Sequence, residues 1–415
     1  MRPCLRKLQR VLLWLQTGWS ILGVTILLVL LVELALQCAF GLKDLGKPRI
    51  PPDPRVIRRI PDGASWLDVH YRELERLNDR WQPYVYFRQT PFSGQTIRID
   101  SAGRRKVWEP TEPTDQAEAR RHPLKILMLG GSSLWGFGAR DDATIPSLLA
   151  RGLHDRRMRT QVRNLSEIGY VNTQELVALV RELQAGYRPD LVLFYDGVND
   201  TASALLEGRA TVTTNETNRA REFNLLQSPA RLTAALAGCL IKNSASFRLA
   251  EAVGKRFGLT SGKSPVARSA NDLDRLAGEL VRGYAANVKM VEALGKAYGF
   301  RAVFVWQPVI FTKSQLVPFE QEERRKYAWA SDLFNRVHAA IGKSPELVSD
   351  PLFLDLSDIF QTTDSLVFLD FCHTTEQANA TIASELIRRM IKLGVVSPPA
   401  QTAERGTGRQ TEVER

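Results

Sequence analysis

Apolar residues are distributed along this chain in three ways, and each predicts a different kind of element. The first is one long block. Trp19 to Phe40 is strongly apolar, its centre runs Ile21-Leu22-Gly23-Val24-Thr25-Ile26-Leu27-Leu28-Val29-Leu30-Leu31-Val32, and Glu33 is its only charge. With the preceding Val11-Leu12-Leu13-Trp14 it exceeds the ~20 residues that cross a bilayer core of ~30 Å. A buried helix of a soluble domain would show a polar face, which this block lacks. A cleaved signal peptide has a shorter apolar part, about 7–15 residues, followed by a small-x-small site. Leu36-Gln37-Cys38 fits neither that site nor a lipoprotein box. The block therefore reads as an uncleaved transmembrane anchor over 19–40.

The second pattern is the short apolar run that stops abruptly. Ile126–Leu129, Gln161–Asn164, Leu191–Tyr195, Arg301–Gln307 and Leu352–Leu356 predict five strands. Leu191-Val192-Leu193-Phe194-Tyr195 is nearly continuous, as in a strand buried on both faces. The third pattern is helical spacing. Leu273, Leu276, Leu280, Tyr284, Val288, Val291 and Leu294 recur on one helix face. Further helices are predicted over Ile145–Met158, Asn172–Gln184, Phe319–Ile341 and Glu376–Leu393, with Asn172/Glu175 and Thr374/Gln377 at capping-box spacing. Strands alternating with helices imply an α/β domain, a parallel five-stranded sheet between helices. In such sheets ligands bind beyond the C-terminal ends of the strands.

The remaining stretches divide the chain. Residues 1–18 are a basic N-terminus. Residues 41–63 form a linker punctuated by Pro48, Pro51, Pro52, Pro54 and Pro61. Residues 64–121, with a helical stretch over Trp66–Trp81 and a strand at Thr96–Ile99, read as a collar packed on the main domain. That domain covers 122–394 and carries an insertion at 201–270. The insertion is largely polar and is expected to be irregular, apart from a weak helical patch near Leu232–Leu240. Residues 395–415 read as a disordered tail.

Charge and cysteine usage narrow the class. The net charge of +11 is spread thinly, with groups at Arg2, Arg6, Lys7, Arg10 and at Arg55, Arg58, Arg59. No Lys/Arg run is interleaved with aromatics, which argues against nucleic acid as a partner. A basic balance suits a protein beside an anionic membrane or polysaccharide. The basic residues precede the span, so the N-terminus is expected to be cytoplasmic and the main domain periplasmic or extracellular. Cys4, Cys38, Cys239 and Cys372 show no CxxC spacing, so neither a zinc site nor a redox motif is indicated. Free thiols are expected, with pairing of Cys239 and Cys372 left open. No metal or organic cofactor is indicated.

The candidate chemistry gathers at strand ends. The first strand runs into Gly130-Gly131-Ser132-Ser133, where glycines permit a sharp turn and a hydroxyl follows. Of the five histidines, His70, His154 and His338 lie in helical patterns and His122 precedes the first strand. His373 stands apart, in Asp370-Phe371-Cys372-His373 after the last strand. A carboxylate three residues before a histidine on a tight turn can accept its Nδ1 proton and leave Nε2 facing a serine. Acyl transfer also needs donors for a developing oxyanion. Gly169 follows the second strand and can offer a backbone N–H. Asn199 follows the third and can offer an amide. Trp135 and Trp306, next to strand ends, are candidates to line the cleft.

Taken together these residues resemble the SGNH, or GDSL-type, hydrolases. Gly130-Gly131-Ser132 is similar to the family's nucleophile block, and Asn164-Leu165-Ser166-Glu167-Ile168-Gly169 to its second block. Gly197-Val198-Asn199-Asp200 matches GxND, and Asp370-Phe371-Cys372-His373 the closing DxxH. The resemblance covers roughly His122 to Gly394. It implies a flavodoxin-like sheet, Ser132 as nucleophile, His373 as base and Asp370 orienting it. The N–H groups of Ser132 and Gly169 and the Asn199 amide would form the oxyanion hole. Gly131 stands where the family usually has Asp, and Ser133 is a competing hydroxyl. A phosphate-binding loop is disfavoured, because the Lys-Ser/Thr ending and GxGxxG are both missing.

The expectation is a membrane-anchored serine esterase that hydrolyses acetyl-type esters through an acyl-enzyme on Ser132. Its substrate class would be an acylated small molecule or envelope carbohydrate. Two alternatives stay open at the level of sequence. One is an O-acyltransferase acting on a cell-envelope polysaccharide, since the same acyl-enzyme serves both reactions. The other is a non-catalytic glycan-binding or scaffold protein.

Overall fold

The computed structural model describes residues 2–44, 63–110, 122–256 and 268–398. Most of the expected linker and tail, 45–62 and 399–415, lies outside the described residues. The chain divides into two compact units, Met1–Arg49 with Glu216–Ala267, and Ile50–Asn215 with Arg268–Arg415.

The larger unit is built on five strands: β1 (Leu124–Gly130), β2 (Thr160–Asn164), β3 (Leu191–Asp196), β4 (Arg301–Trp306) and β5 (Phe353–Asp355). All are parallel, in the order β2-β1-β3-β4-β5. This is the flavodoxin-like order, and the α/β class expected from the sequence holds. β3 is buried along its whole length, because helices cover both faces and leave no polar side to the strand.

The helix between β1 and β2, Ile145–His154, packs against the closing helix Glu376–Lys392. Asn172–Gln184, Ala270–Tyr298 and Ala328–Ile341 form a second packed group. Chain direction across the sheet reverses between β2 and β3, and right-handed crossovers then place the two groups on opposite faces. The reversal point lies between β1 and β3. Their register pairs Gly130 with Tyr195, so the turns that leave both strands emerge side by side.

Several local expectations are corrected. The helical stretch near Trp66 spans Gly63–Arg76; Asp79–Gln82 is instead a strand, paired antiparallel with Tyr86–Gln89. The strand at Thr96–Ile99 shrinks to Arg98–Ile99, paired with Phe92–Ser93. Phe319–Ile341 is two helices, Pro318–Lys326 and Ala328–Ile341, because the chain turns at Tyr327. The turn brings the Tyr327 ring onto Phe371, with centroids 4.7 Å apart. The cap of the closing helix is Thr375, which accepts from the Ala378 N–H, one residue beyond the expected Thr374. The helix after β2 is opened by Val171, whose N–H donates to the Gln174 side chain. Asn172 and Glu175 are thereby released from capping and turn inward.

In the smaller unit, helix Arg2–Asp44 contains the apolar run Leu13–Leu42, long and apolar enough to cross a membrane. The insertion is not irregular. It contributes helices Glu216–Leu226, Pro229–Asn243 and Ala245–Arg256. Pro229 at a first helical position, the Ser228 cap and an Ala/Leu-rich interior explain the second of these. Its polarity concealed good local helix propensity.

Candidate active site

The β1 run ends at Gly130, and the chain folds at once into the single turn Ser132–Trp135. The turn is tightly held, with Gly136 and Phe137 N–H groups both donating to the Ser132 carbonyl. The two preceding glycines are tightly enclosed, Gly130 by backbone and Gly131 by a side chain. A Cβ on Gly130 would lie 2.8 Å from the Tyr195 carbonyl of β3, and one on Gly131 would lie 2.2 Å from Asn199 Nδ2. At Gly131 the Asn199 amide occupies the space that a side chain would take.

The loop 370–373 is shaped by its own carboxylate. Asp370 Oδ1 accepts from the Cys372 and His373 N–H groups, each at 2.8 Å, while Leu369 N–H donates to the His373 carbonyl. This fixes the imidazole. His373 Nδ1 lies 2.5 Å from Asp370 Oδ2, and Nε2 lies 2.8 Å from Ser132 Oγ. The carboxylate assigns the Nδ1 proton, so Nε2 is the acceptor for the serine hydroxyl. Burial alone would raise the Asp370 carboxyl, but the facing imidazole and the hydrogen bonds hold it below its ordinary value. Phe137 stacks on the other face of the imidazole, centroids 4.3 Å apart. Ser133, the competing hydroxyl, instead donates to the Cys372 carbonyl at 3.4 Å.

Asn199 sits in the first turn of helix Val198–Glu207, after β3. Its Nδ2 donates to the Tyr170 carbonyl at 2.7 Å, which orients the amide beside Gly131. Gly169 adopts a left-handed φ of 84° in the loop after β2. That loop is tied to β1 by the Glu167 N–H, which donates to the Gly130 carbonyl at 3.0 Å. Gly131, Ser132, Tyr170 and Asn199 face a recess of about 10 Å³, room for about one water. The structure therefore links Ser132, His373 and Asp370 by hydrogen bonds and sets Asn199 alongside. Gly169 stands one residue from the carbonyl that orients Asn199.

Neither tryptophan lines the cleft. Trp135 is fully buried, its ring 4.3 Å beneath the Arg105 guanidinium. Trp306 is buried against Tyr284 and closes on Gly197, where a Cβ would fall 2.7 Å from its ring. The aromatic stacked on His373 is Phe137, two residues beyond Trp135. Asp370, Cys372 and His373 have ligand-type atoms within 4.8 Å of one another. They form a hydrogen-bonded unit rather than a metal cage. Nδ1 is committed to Asp370, and burial followed by the Asp370 charge holds the Cys372 thiol well above its ordinary range. Cys38, Cys239 and Cys372 are free thiols.

Two further groups were not legible as site residues. One is the collar, which clamps the second loop. Gln89 N–H donates to Glu167 at 3.0 Å, Arg88 Nη1 to the Leu165 carbonyl at 2.8 Å, and the Tyr170 hydroxyl to the Phe87 carbonyl. Burial pushes the Glu167 carboxyl up to about 7 despite Arg88. The other is a cluster of Glu175, Asp196 and Asp200 in the floor of the recess, all buried. Asp196 Oδ2 accepts from Asn172 Nδ2 at 2.9 Å and from the Tyr284 hydroxyl at 3.0 Å, and Asp200 accepts from the Asn172 N–H at 3.1 Å. Glu175 Oε2 and Asp196 Oδ1 lack a protein donor. A proton on Glu175 supplies it.

Burial, reinforced by mutual repulsion, pushes Asp200 up to about 7 and Glu175 well above its usual range; burial pushes Asp196 up to about 6. Acids whose folded pKa is raised stabilise the fold fully at low pH and lose that contribution as pH rises through the folded pKa. Thermal stability is therefore expected to fall between about pH 4, the value for an unfolded Asp, and about pH 7, by a few degrees for each ~1.4 kcal/mol lost. Asp200→Asn, which keeps an acceptor for the Asn172 N–H but cannot ionise, should flatten this slope. Parallel slopes in melting curves of the two proteins would contradict it.

No family model matches the chain, and no curated protein does. Solved structures similar to it include a member of the lipolytic protein G-D-S-L family from Veillonella parvula DSM 2008. It is 8% identical, over 64% of this chain and 96% of that one, with a TM-score of 0.34. The acetyl xylan esterase AlAXEase is 10% identical, over 64% and 98%, with a TM-score of 0.35. Axe2, an acetylxylan esterase from Geobacillus stearothermophilus, is 13% identical, over 64% and 93%, with a TM-score of 0.33.

Proposed function

We propose that this protein is an SGNH-type serine esterase, held at a membrane by its N-terminal helix, that removes small acyl groups from an envelope carbohydrate. The observation that carries the reading is the chain Ser132 Oγ–His373 Nε2 and His373 Nδ1–Asp370 Oδ2, at 2.8 and 2.5 Å, beside the strand-order reversal. His373 takes the hydroxyl proton as Ser132 Oγ bonds to the ester carbonyl carbon. The negative charge that develops on the carbonyl oxygen faces the Ser132 and Gly169 N–H groups and the Asn199 amide. The ester C–O bond then breaks, and His373 returns the proton to the departing alcohol. Water, deprotonated by the same imidazole, releases the acid and restores Ser132.

The recess beside Ser132 and Asn199, with room for about one water, suits the carbonyl oxygen of an ester and is too small for a long acyl chain, which supports a short acyl group such as acetyl. The basic residues before the apolar run support a cytoplasmic N-terminus and a site on the far side of the membrane. The test is release of acetate from an aryl acetate and from an acetylated polysaccharide by the full-length protein in detergent. No turnover of either would sink the esterase reading. Transfer to an added glycan with little free acetate would reassign it as an acyltransferase. Asn199→Ala is expected to lower kcat by about 10²–10³-fold, the usual cost of one oxyanion donor, with little change in KM. A loss confined to KM would place Asn199 in ground-state binding instead.

A further inference from the structure

The smaller unit contains a contact that the esterase reading does not use. Glu33 is the one charged residue in the run Leu13–Leu42. Its carboxylate accepts from the Ala245 N–H, from the Ser246 N–H at 3.1 Å and from Ser246 Oγ at 2.9 Å. Gln37, one turn further along, donates to it at 3.1 Å. Ala245 opens helix Ala245–Arg256, and Ser244 alone separates this helix from Pro229–Asn243. The guanidinium of Arg248 lies 4.7 Å over the Phe40 ring. Phe40 is ~10 Å beyond Glu33 along the first helix, at 1.5 Å per residue. The second helix therefore leaves Glu33 toward the C-terminal end of the apolar run. The two insertion helices form a hairpin whose corner sits at the level of Glu33.

Each side of this contact removes a difficulty that only a membrane creates. A carboxylate in hydrocarbon costs about 2.5–3.5 kcal/mol on insertion scales. Unpaired N–H groups at a helix start are likewise costly there, whereas water would satisfy both. The rest of the hairpin agrees. Leu236 and Ile241 on its first helix, and Phe247, Leu249 and Val253 on its second, are exposed. Arg231 lies toward the open end of the first helix, and Glu251 midway along the second. Lys242 and Arg248 are the cations near the corner: the Lys242 stem can carry its ammonium back toward headgroups, and the Arg248 guanidinium is covered by the Phe40 ring.

We infer that the hairpin Pro229–Arg256 is a second membrane-contacting element, seated among the acyl chains of the outer leaflet and docked on the anchor through Glu33. This rests on the reading of Leu13–Leu42 as a membrane span. Membrane attachment is then a two-part device, and the insertion is its lipid-facing half.

The test uses the full-length protein in phosphatidylcholine/phosphatidylglycerol vesicles containing brominated acyl chains. Cys4, Cys38 and Cys239 are replaced by Ser, and an environment-sensitive fluorophore is attached at Phe247→Cys, at Leu249→Cys or, in the anchor, at Leu30→Cys. Bromolipid is expected to quench all three probes, on the order of three-fold, while iodide in the buffer leaves them largely unquenched. Quenching at Leu30→Cys without quenching at Phe247→Cys and Leu249→Cys overturns the hairpin inference and leaves the anchor standing. Loss of quenching at all three removes both. Glu33→Ala is expected to halve the quenching at Phe247→Cys, Glu33→Gln to preserve most of it, and neither to affect Leu30→Cys. An unchanged Phe247→Cys signal in Glu33→Ala would overturn docking through Glu33.

Discussion

Ser132→Ala is expected to lower turnover of a small aryl acetate by about 10⁴–10⁶-fold, leaving only the rate that binding and the oxyanion donors supply. Among the described residues the hydroxyl has one imidazole partner, His373, at 2.8 Å. His373→Ala should cost a similar factor, because the serine then keeps its proton. The double variant should be no slower than either single one, since the two side chains act as one unit. Ser133→Ala is the control. Its hydroxyl faces the Cys372 carbonyl, so its rate should stay within a few-fold of the parent. A fluorophosphonate should add its mass to a peptide containing Ser132 in the parent and to none in Ser132→Ala. Equal aryl acetate rates in the parent and both single variants would remove Ser132 and His373 from the chemistry.

Much of this arrangement was legible in the sequence because it is local. A strand that ends in Gly130-Gly131 announces its turn, and Asp370 reaches His373 within one tight loop. The four loops could be placed at one sheet edge because parallel α/β topology puts every βα turn there. Contacts between distant segments were not legible. Gly131 could be read as a missing acid, but that it packs against Asn199, 68 residues away, could not. Trp135 and Trp306 could be read as core or as cleft aromatics, because burial at a strand end is decided by what packs over it. The insertion looked irregular because its apolar positions do not repeat toward a sheet. They make sense once helix Arg2–Asp44 is present beside them, and Glu33, an oddity in an apolar block, becomes a contact residue.

The collar shows the same limit, and it leads to the second large effect. Arg105 lies in a short segment with no motif, yet it is fully buried. Its Nε donates to Asp141 at 3.1 Å. Nη1 donates to the carbonyls of Trp135 and Gly136 at 3.2 and 2.5 Å, and Nη2 to those of Thr96 and Ala139 at 3.2 and 2.6 Å. The guanidinium thus anchors the turn that follows Ser132 to the collar, and no other described side chain donates to those four carbonyls. Removing it strands the Trp135 and Ala139 carbonyls, leaves those of Gly136 and Thr96 only the Ala139 and Asp141 N–H groups, and leaves Asp141 only Arg98, whose own side chain is half exposed. Arg105→Ala is expected to cost about 3–5 kcal/mol, the range for breaking a buried pair from one side. The unfolding temperature should drop by about 10 °C. Arg105→Lys should recover part of the charge but not the fork, and fall between the two. Protein that remains folded should also show a lower kcat, because Gly136 and Phe137 brace the Ser132 carbonyl from this turn. An unfolding temperature for Arg105→Ala within about 2 °C of the parent would mean that water replaces the guanidinium, and that the collar does not hold the nucleophile turn.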